Sequence, residues 1–547
     1  MSKKMSQRAQ FFAVLFWAAL AFAVSCVLLP NGASVAQVQE QRATSAERGL
    51  SPAERRGKAI YLRGASPSGK EITAMVGDMD LLASTLTCAG CHGLRGEGKT
   101  EGGVTAGNLT WADLAKPYGH THPTGRKHGP FNEKLFTRSL VQGLDPAGNE
   151  MAVAMPRYQM SDEDMADLIA YLERIESDRD PGLTATSVRV GTILPKQGAL
   201  SDIGAAMKDV LTAYFANVND RGGIYNRSIE LQTIETGSDA AATAANVRTL
   251  VENGQLFAMV SGLSAGADKE LAALAQETEI PFMGPLTLLP QTGFHSNRNV
   301  FYLLPGTTEQ ARALVNFAAN KPELQKRRLV IVHSQNELAL AAAEAIEDQA
   351  RKKGWTITRK SYSGKLADAT GIAATLKGEG TDAVFFLGAG GEEAVFINAA
   401  AAVNWTPNVF LLGALAGREL VQSVPLSFKD HVFLSFPTVP GDVTPEGMAE
   451  LRALQEKYKF ATRHVASQLM AFAAAKIFTE ALKRAGRDLG REKLVTALEG
   501  LYEYETGVTP SITFGPNRRV GAMGGYVVSI DPAKKEFVSA SGWIKNN

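Results

Sequence analysis

The sequence predicts a multidomain protein: a small all-α unit, then an α/β region folded as two lobes of parallel sheet flanked by helices. Three observations predict this. A C-x-x-C-H pentapeptide, Cys88-Ala89-Gly90-Cys91-His92, stands between two stretches with helix-start signals. Beyond residue 187, short β-rich runs alternate with helical ones, as in parallel sheets covered on both faces. The 547-residue chain is too long for one core, and residues 187–547 are too many for one sheet.

Residues 1–36 are predicted to be an export signal. Lys3, Lys4 and Arg8 precede an uncharged stretch, residues 11–29, the order of a basic region before an apolar one. Cleavage after Ala36, with Ser34 at the −3 position, satisfies the small-residue rule. The apolar stretch is also long enough to remain as a membrane anchor. A third option is lipidation, because Val24-Ser25-Cys26 resembles part of a lipoprotein processing site, although Ala23 stands where Leu is preferred. Residues 37–50, rich in Gln, Ala and Ser, read as a flexible linker.

The net charge is +1, and no basic run is interleaved with aromatics, so no nucleic-acid partner is expected. Of the three cysteines, Cys26 lies in the signal. Cys88 and Cys91 remain, and an exported chain has no other disulfide framework. Two thiols at this spacing can form thioether bonds to one haem c, with His92 placed to give a ring nitrogen to the iron. In an oxidising compartment the same pair could be a small disulfide loop or a redox pair.

The first unit is expected over residues 51–178. Ser51 is an N-cap, followed by Pro52 at the first helical position and Glu54. Near the far end, Ser161 caps a helix with acids in its first turn, and Met165, Leu168, Ile169, Leu172 and Ile175 recur at helical spacing. Gly57-Lys58-Ala59-Ile60-Tyr61, together with Met155-Pro156 ahead of that helix, closely resembles class I cytochromes c. By that resemblance Met155 supplies the sulfur opposite His92. Met151 and Met160 compete, but Met160 is better explained as the apolar residue before the N-cap. Residues 64–86 are longer than the family's usual gap, which implies an insertion. His120, His122 and His128 cluster in one loop, where they could bind a surface metal, replace a haem ligand, or simply be solvated.

Residues 179–186 read as a linker. Strands are predicted over residues 188–194, 228–235, 257–261, 328–333, 383–387 and 409–412, and a helix runs to about Asn219. Segments 217–227, 257–263, 280–288 and 514–527, in that order, resemble type I periplasmic binding proteins of the branched-chain amino-acid family. The resemblance covers residues 187–547 and implies lobe crossings near 303–306, 435–439 and 510–514. Gly388-Ala389-Gly390-Gly391 superficially suits a dinucleotide turn, but the glycine pattern is incomplete and no carboxylate ends the next strand.

In amino-acid-binding relatives, first-lobe hydroxyls and backbone amides hold the ligand carboxylate. The matching positions are Ser264, Ala265, Pro285 and Thr287, with Ala265 where a serine is usual. The aromatic positions of the two lobes fall at Ile203 and Gly391. The segment matching the second-lobe acid, residues 412–417, contains no carboxylate. An ammonium buried there would lack a countercharge, so a small organic ligand without one is expected.

These readings imply a periplasmic c-type cytochrome that transfers electrons and carries a fused solute-binding domain, with no catalytic constellation visible. The partner would be a periplasmic dehydrogenase, because residues 143–149 look like those of cytochromes attached to alcohol dehydrogenases, which are quinoproteins. The alternatives are the binding component of an ABC transporter acting with a permease, or a ligand or redox sensor, with the haem as an accessory.

Overall fold

The computed structural model describes residues 50–546 except 102–103, 123–124, 179, 292–296, 325–327, 389 and 418. The predicted signal, its Cys26 and the linker up to residue 49 lie outside the described residues. The chain divides into two compact units after residue 179.

The first unit is organised by helices Pro52–Arg63 and Asp162–Arg174, which pack on each other. Ser51 and Glu54 form a reciprocal capping box with Pro52 at N1, so the helix starts where the sequence signals it. Gly57 is required at the crossing: a Cβ there would lie 1.9 Å from the Asp167 carbonyl oxygen. Beside it, Arg56 donates Nε and Nη2 to the Asp167 carboxylate at 2.6 and 2.8 Å. Ile60, Tyr61, Phe136, Leu168, Tyr171 and Leu172 fill the core.

Three short sheets are added to this helical core. The long gap after the first helix holds strands Thr73–Val76 and Met79–Leu82, and Arg157–Gln159 completes an antiparallel sheet with them. Lys99–Glu101 pairs with Val104–Ala106, and His120–Thr121 with Lys127–His128.

The second unit has two lobes. The first-lobe sheet is wholly parallel, in the order Val300–Phe301, Phe282–Met283, Ala258–Val260, Ser187–Leu194, Ser228–Glu235. The second begins with five parallel strands, Ile357–Tyr362, Leu329–Ser334, Ala383–Leu387, Asn408–Leu412 and Val432–Phe436. Gly524–Asp531 and Glu536–Ser539 then add antiparallel strands at its far edge. Their cores are separate, and near-continuous apolar strands such as residues 383–387 are buried on both faces.

The chain passes between lobes three times. It leaves the first sheet after Val300–Phe301 and enters helix Thr307–Ala319, which packs on the second sheet. It returns after Val432–Phe436 to helices Pro445–Tyr458, Val465–Ala485 and Arg491–Glu499 in the first-lobe core. Helix Val465–Ala485 is long and apolar enough to cross a membrane, but here its side chains are mostly buried in that core.

The last crossing is not at residues 510–514, as the sequence suggested. Ile512 bridges Tyr504, and both Ile512 and Phe514 belong to the first-lobe core. The chain remains paired to the first lobe through Gly521 and Ala522, whose amides donate to Tyr302 and Leu303, and joins the second sheet at Gly524. The buried Arg519, neutralised by Glu499 at 2.6 Å, lets this polar stretch stay inside.

Candidate functional site

Cys88, Cys91 and His92 share the one-turn helix Cys88–His92, capped by Thr87, whose side chain accepts from the Gly90 amide at 3.2 Å. Two buried tyrosines pin the chain on either side. Tyr158 Oη donates to the Leu86 carbonyl at 2.6 Å, and Tyr61 Oη to the Gly93 carbonyl at 2.7 Å. Cys88 is buried and Cys91 exposed. Burial pushes the Cys88 thiol up to about 12.

The His92 ring is 7% exposed, and its Nδ1 lies 2.7 Å from the Gly107 carbonyl oxygen. A carbonyl only accepts, so Nδ1 carries the hydrogen and Nε2 keeps a free lone pair. Burial holds the ring below the usual histidine range, against the pull of that carbonyl. A neutral imidazole with its tautomer fixed from behind is the form that ligates a metal, so the residues present fit a haem.

Met155 packs, partly buried, against the same core cluster that includes Cys88. Its carbonyl accepts from Arg157 Nη1 at 2.6 Å. Met160 also packs on this cluster, directly before the N-cap Ser161. The strand Arg157–Gln159 that follows Met155 is the one the inserted hairpin pairs with.

The three clustered histidines interact with one another. His122 Nε2 and His128 Nε2 are 2.9 Å apart, and the three ring centroids lie 5.1–6.2 Å from each other. Among the described residues, no group of three or more His, Cys, Asp or Glu is spaced to hold a metal ion.

The ligand-binding candidates lie at the carboxyl ends of the strands, where open α/β sheets bind ligands. In the first lobe, Ser264 is buried and donates to Asp268 Oδ1 at 2.9 Å, and the Thr287 hydroxyl also reaches Asp268. Ser264, Asp268, Pro285 and Tyr302 border a cavity of about 10 Å³, room for about one water. Ala265 is exposed and, like Ser261, has a positive φ, +53°, a strained conformation for a residue with a Cβ.

In the second lobe, Gly391 has φ +97° and caps helix Glu392–Ala402. Gly388, three residues earlier, has no room for a side chain: a Cβ there would meet the Tyr362 hydroxyl at 2.6 Å. Residues 412–417 carry no carboxylate, yet Glu393 reaches them from the helix, its Oε1 accepting from the Gly417 amide. Glu392 accepts from Tyr362 Oη at 2.7 Å and from the Leu366 amide at 2.8 Å. Asp268, Glu392 and Glu393 were not singled out in the sequence. The acidic pair at a helix start directly after four turn residues was the available signal. Across the lobes, Lys269 pairs with Glu337.

The periplasmic binding protein family matches residues 187–536, and the cytochrome c family matches residues 80–176. Several solved structures share the fold of the second unit. A fatty acid ABC transporter substrate-binding protein from Thermomonospora curvata is 16% identical with a TM-score of 0.51, covering 68% of this chain and 95% of that one. A branched chain amino acid ABC transporter protein from Thermus thermophilus with bound valine is 18% identical with a TM-score of 0.52, covering 66% and 98%. An ABC transporter substrate-binding protein from Desulfitobacterium hafniense is 18% identical with a TM-score of 0.51, covering 64% and 99%. No curated protein matches the chain.

Proposed function

Because the chain belongs to the periplasmic binding protein family and carries a cytochrome c domain, we propose that it is an exported electron carrier whose two-lobed unit holds a small organic solute. Cys88 and Cys91 would hold one haem c covalently, with His92 and Met155 as its axial pair. The observation that carries this reading is the His92 ring, buried, neutral and fixed by Gly107.

When bound, a haem capped on both faces supplies one-electron transfer. The chain's own residues fix the ligands. Gly107 sets the His92 tautomer, Tyr61 and Tyr158 clamp the backbone around the motif, and Arg157 holds the Met155 carbonyl.

In the solute-binding unit, Glu392 is occupied by Tyr362 and Leu366, and the 2%-exposed Glu393 holds Gly417. Glu392 is thus taken up within its own lobe, whereas Glu393 Oε2 is buried without a hydrogen-bond partner among the described residues; the reading of a ligand without an ammonium rests on residues 412–417, which contain no carboxylate. The two hydroxyls that would take a ligand carboxylate are engaged with Asp268. An alcohol or an aromatic compound therefore fits this cleft better than an amino acid. The partner in this reading is a periplasmic dehydrogenase, a quinoprotein, whose substrate or product the cleft retains.

A second reading, a component of an ABC transporter working with a permease, is favoured by the structural likeness to ABC transporter substrate-binding proteins. A ligand or redox sensor remains the third. Protein produced in a host competent in cytochrome maturation should be red, low-spin and inert to carbon monoxide. A colourless or readily carbon-monoxide-binding product would overturn the haem assignment. A thermal-shift screen identifies the solute class, and micromolar binding of leucine would overturn the exclusion of amino acids.

A further inference from the structure

The hairpin that lies between the first helix and Cys88 has two unlike faces. Its strands Thr73–Val76 and Met79–Leu82 pair Ala74 with Leu81 and Val76 with Met79, and Ala74 also pairs with Tyr158 of the third strand. Residues opposite one another share a face, and side chains alternate along each strand. One face therefore carries Ala74, Val76, Met79, Leu81 and Tyr158. Ile72 and Ala83 continue it, tied by the Ala83 amide donating to the Ile72 carbonyl at 3.0 Å.

This face is apolar apart from the Tyr158 hydroxyl, which donates to the Leu86 carbonyl. It is also graded along its length. At the base, Ile72, Ala74, Ala83 and Tyr158 are buried in the core of the unit. Towards the tip, Leu81 is 37% and Met79 61% exposed, so the hairpin runs on past the edge of that core. The opposite face mixes Met75 and Leu82 with Thr73, Asp80, Arg157 and Gln159, the composition of a solvated surface.

The overhang is tied to both segments that supply haem ligands. From Leu82 the chain runs through Ala83–Thr85 to Thr87, the cap of helix Cys88–His92. On the other side, one more step of the Arg157–Gln159 register sets Pro156 level with Val76, so Met155 enters the sheet beside the hairpin tip. Pro156 has no N–H, which ends the ladder there. We propose that Val76, Met79 and Leu81 form a cover for the edge of the haem between Cys88 and Met155. The inference rests on the haem reading above. A ring attached through Cys88 and ligated by Met155 is bordered by both segments, and the hairpin is the element joined to each. An apolar cover keeps water from the ring, disfavours the extra charge of ferric iron and holds the reduction potential up.

The test uses the full-length haem protein and reads its reduction potential and optical spectrum. Met79→Gln combined with Leu81→Gln keeps the side chains neutral and close in size but admits water. This pair should raise the ferric-to-ferrous ratio at a fixed ambient potential by roughly tenfold, a lowering of about 59 mV for one electron, with the low-spin spectrum kept. Met75→Gln combined with Leu82→Gln, the same change on the opposite face of the same strands, should leave the potential at its wild-type value. A wild-type potential in the first pair overturns the proposal, as does an equal fall in both pairs. Loss of the low-spin spectrum in the first pair also overturns it, because the hairpin would then be supporting a ligand rather than covering the ring. If the first pair does not accumulate with haem, Met79→Gln alone decides, since that side chain is the more exposed of the two. A wild type without haem would instead remove the haem reading itself.

Discussion

The Ser264 hydroxyl donates to Asp268 Oδ1 at 2.9 Å, so a side chain expected to meet the ligand is turned into the lobe. Ser264→Ala should therefore change solute affinity by less than about threefold while destabilising the lobe by about 1 kcal/mol, the net value of a hydrogen bond. Calorimetric titration and denaturant unfolding measure the two effects separately. A large loss of affinity with unchanged stability would return Ser264 to the cleft.

Asp268 gives a pH signature. Burial raises its pKa above the usual carboxylate value, outweighing the Ser264 and Thr287 hydroxyls. Between the ordinary and the raised value the native state binds more protons than the unfolded one, so stability falls as pH rises through that window. Unfolding midpoints of Asp268→Asn, measured from pH 3.5 to 7, should lack that decline.

Gly57 tests the helix crossing of the first unit. A methyl group there meets the Asp167 carbonyl oxygen, and overpacking of this kind costs about 1–3 kcal/mol. Gly57→Ala should lower the melting temperature of the first unit and the yield of haem-loaded protein, leaving the melting of the second unit unchanged.

The cross-lobe pair Lys269–Glu337 has side chains 61% and 60% exposed, so solvent and salt screen it. Lys269→Glu should speed solute release by no more than about fivefold at low salt, within the value of an exposed pair, and the difference should vanish in 0.5 M salt. Stopped-flow release kinetics at two ionic strengths provide the measurement.

The parts legible in the sequence were those written locally. Ser51, Pro52 and Glu54 announce a helix through capping chemistry, and Ala383–Leu387 announces a doubly buried strand through an unbroken apolar run. Ile357–Tyr362 escaped because it edges its sheet and carries Arg359 and Lys360 along a half-exposed strand. Phe282–Met283 is too short to signal itself. The links from Asp268 to Ser264 and Thr287, and from Glu393 to Gly417, join separate elements, and no spacing rule in one segment reports them. The third crossing was misplaced for the same reason: Arg519 looks solvent-bound until Glu499 is brought beside it.

Neither lobe is a continuous stretch of chain. The central helix of the first, Val465–Ala485, follows the parallel strands of the second, whose sheet in turn awaits Gly524–Asp531. During synthesis neither core can be finished before nearly the whole polypeptide is present. A premature stop after Phe436 would thus yield two incomplete lobes rather than one sound one, leaving the first unit as the only part that proteolysis would spare.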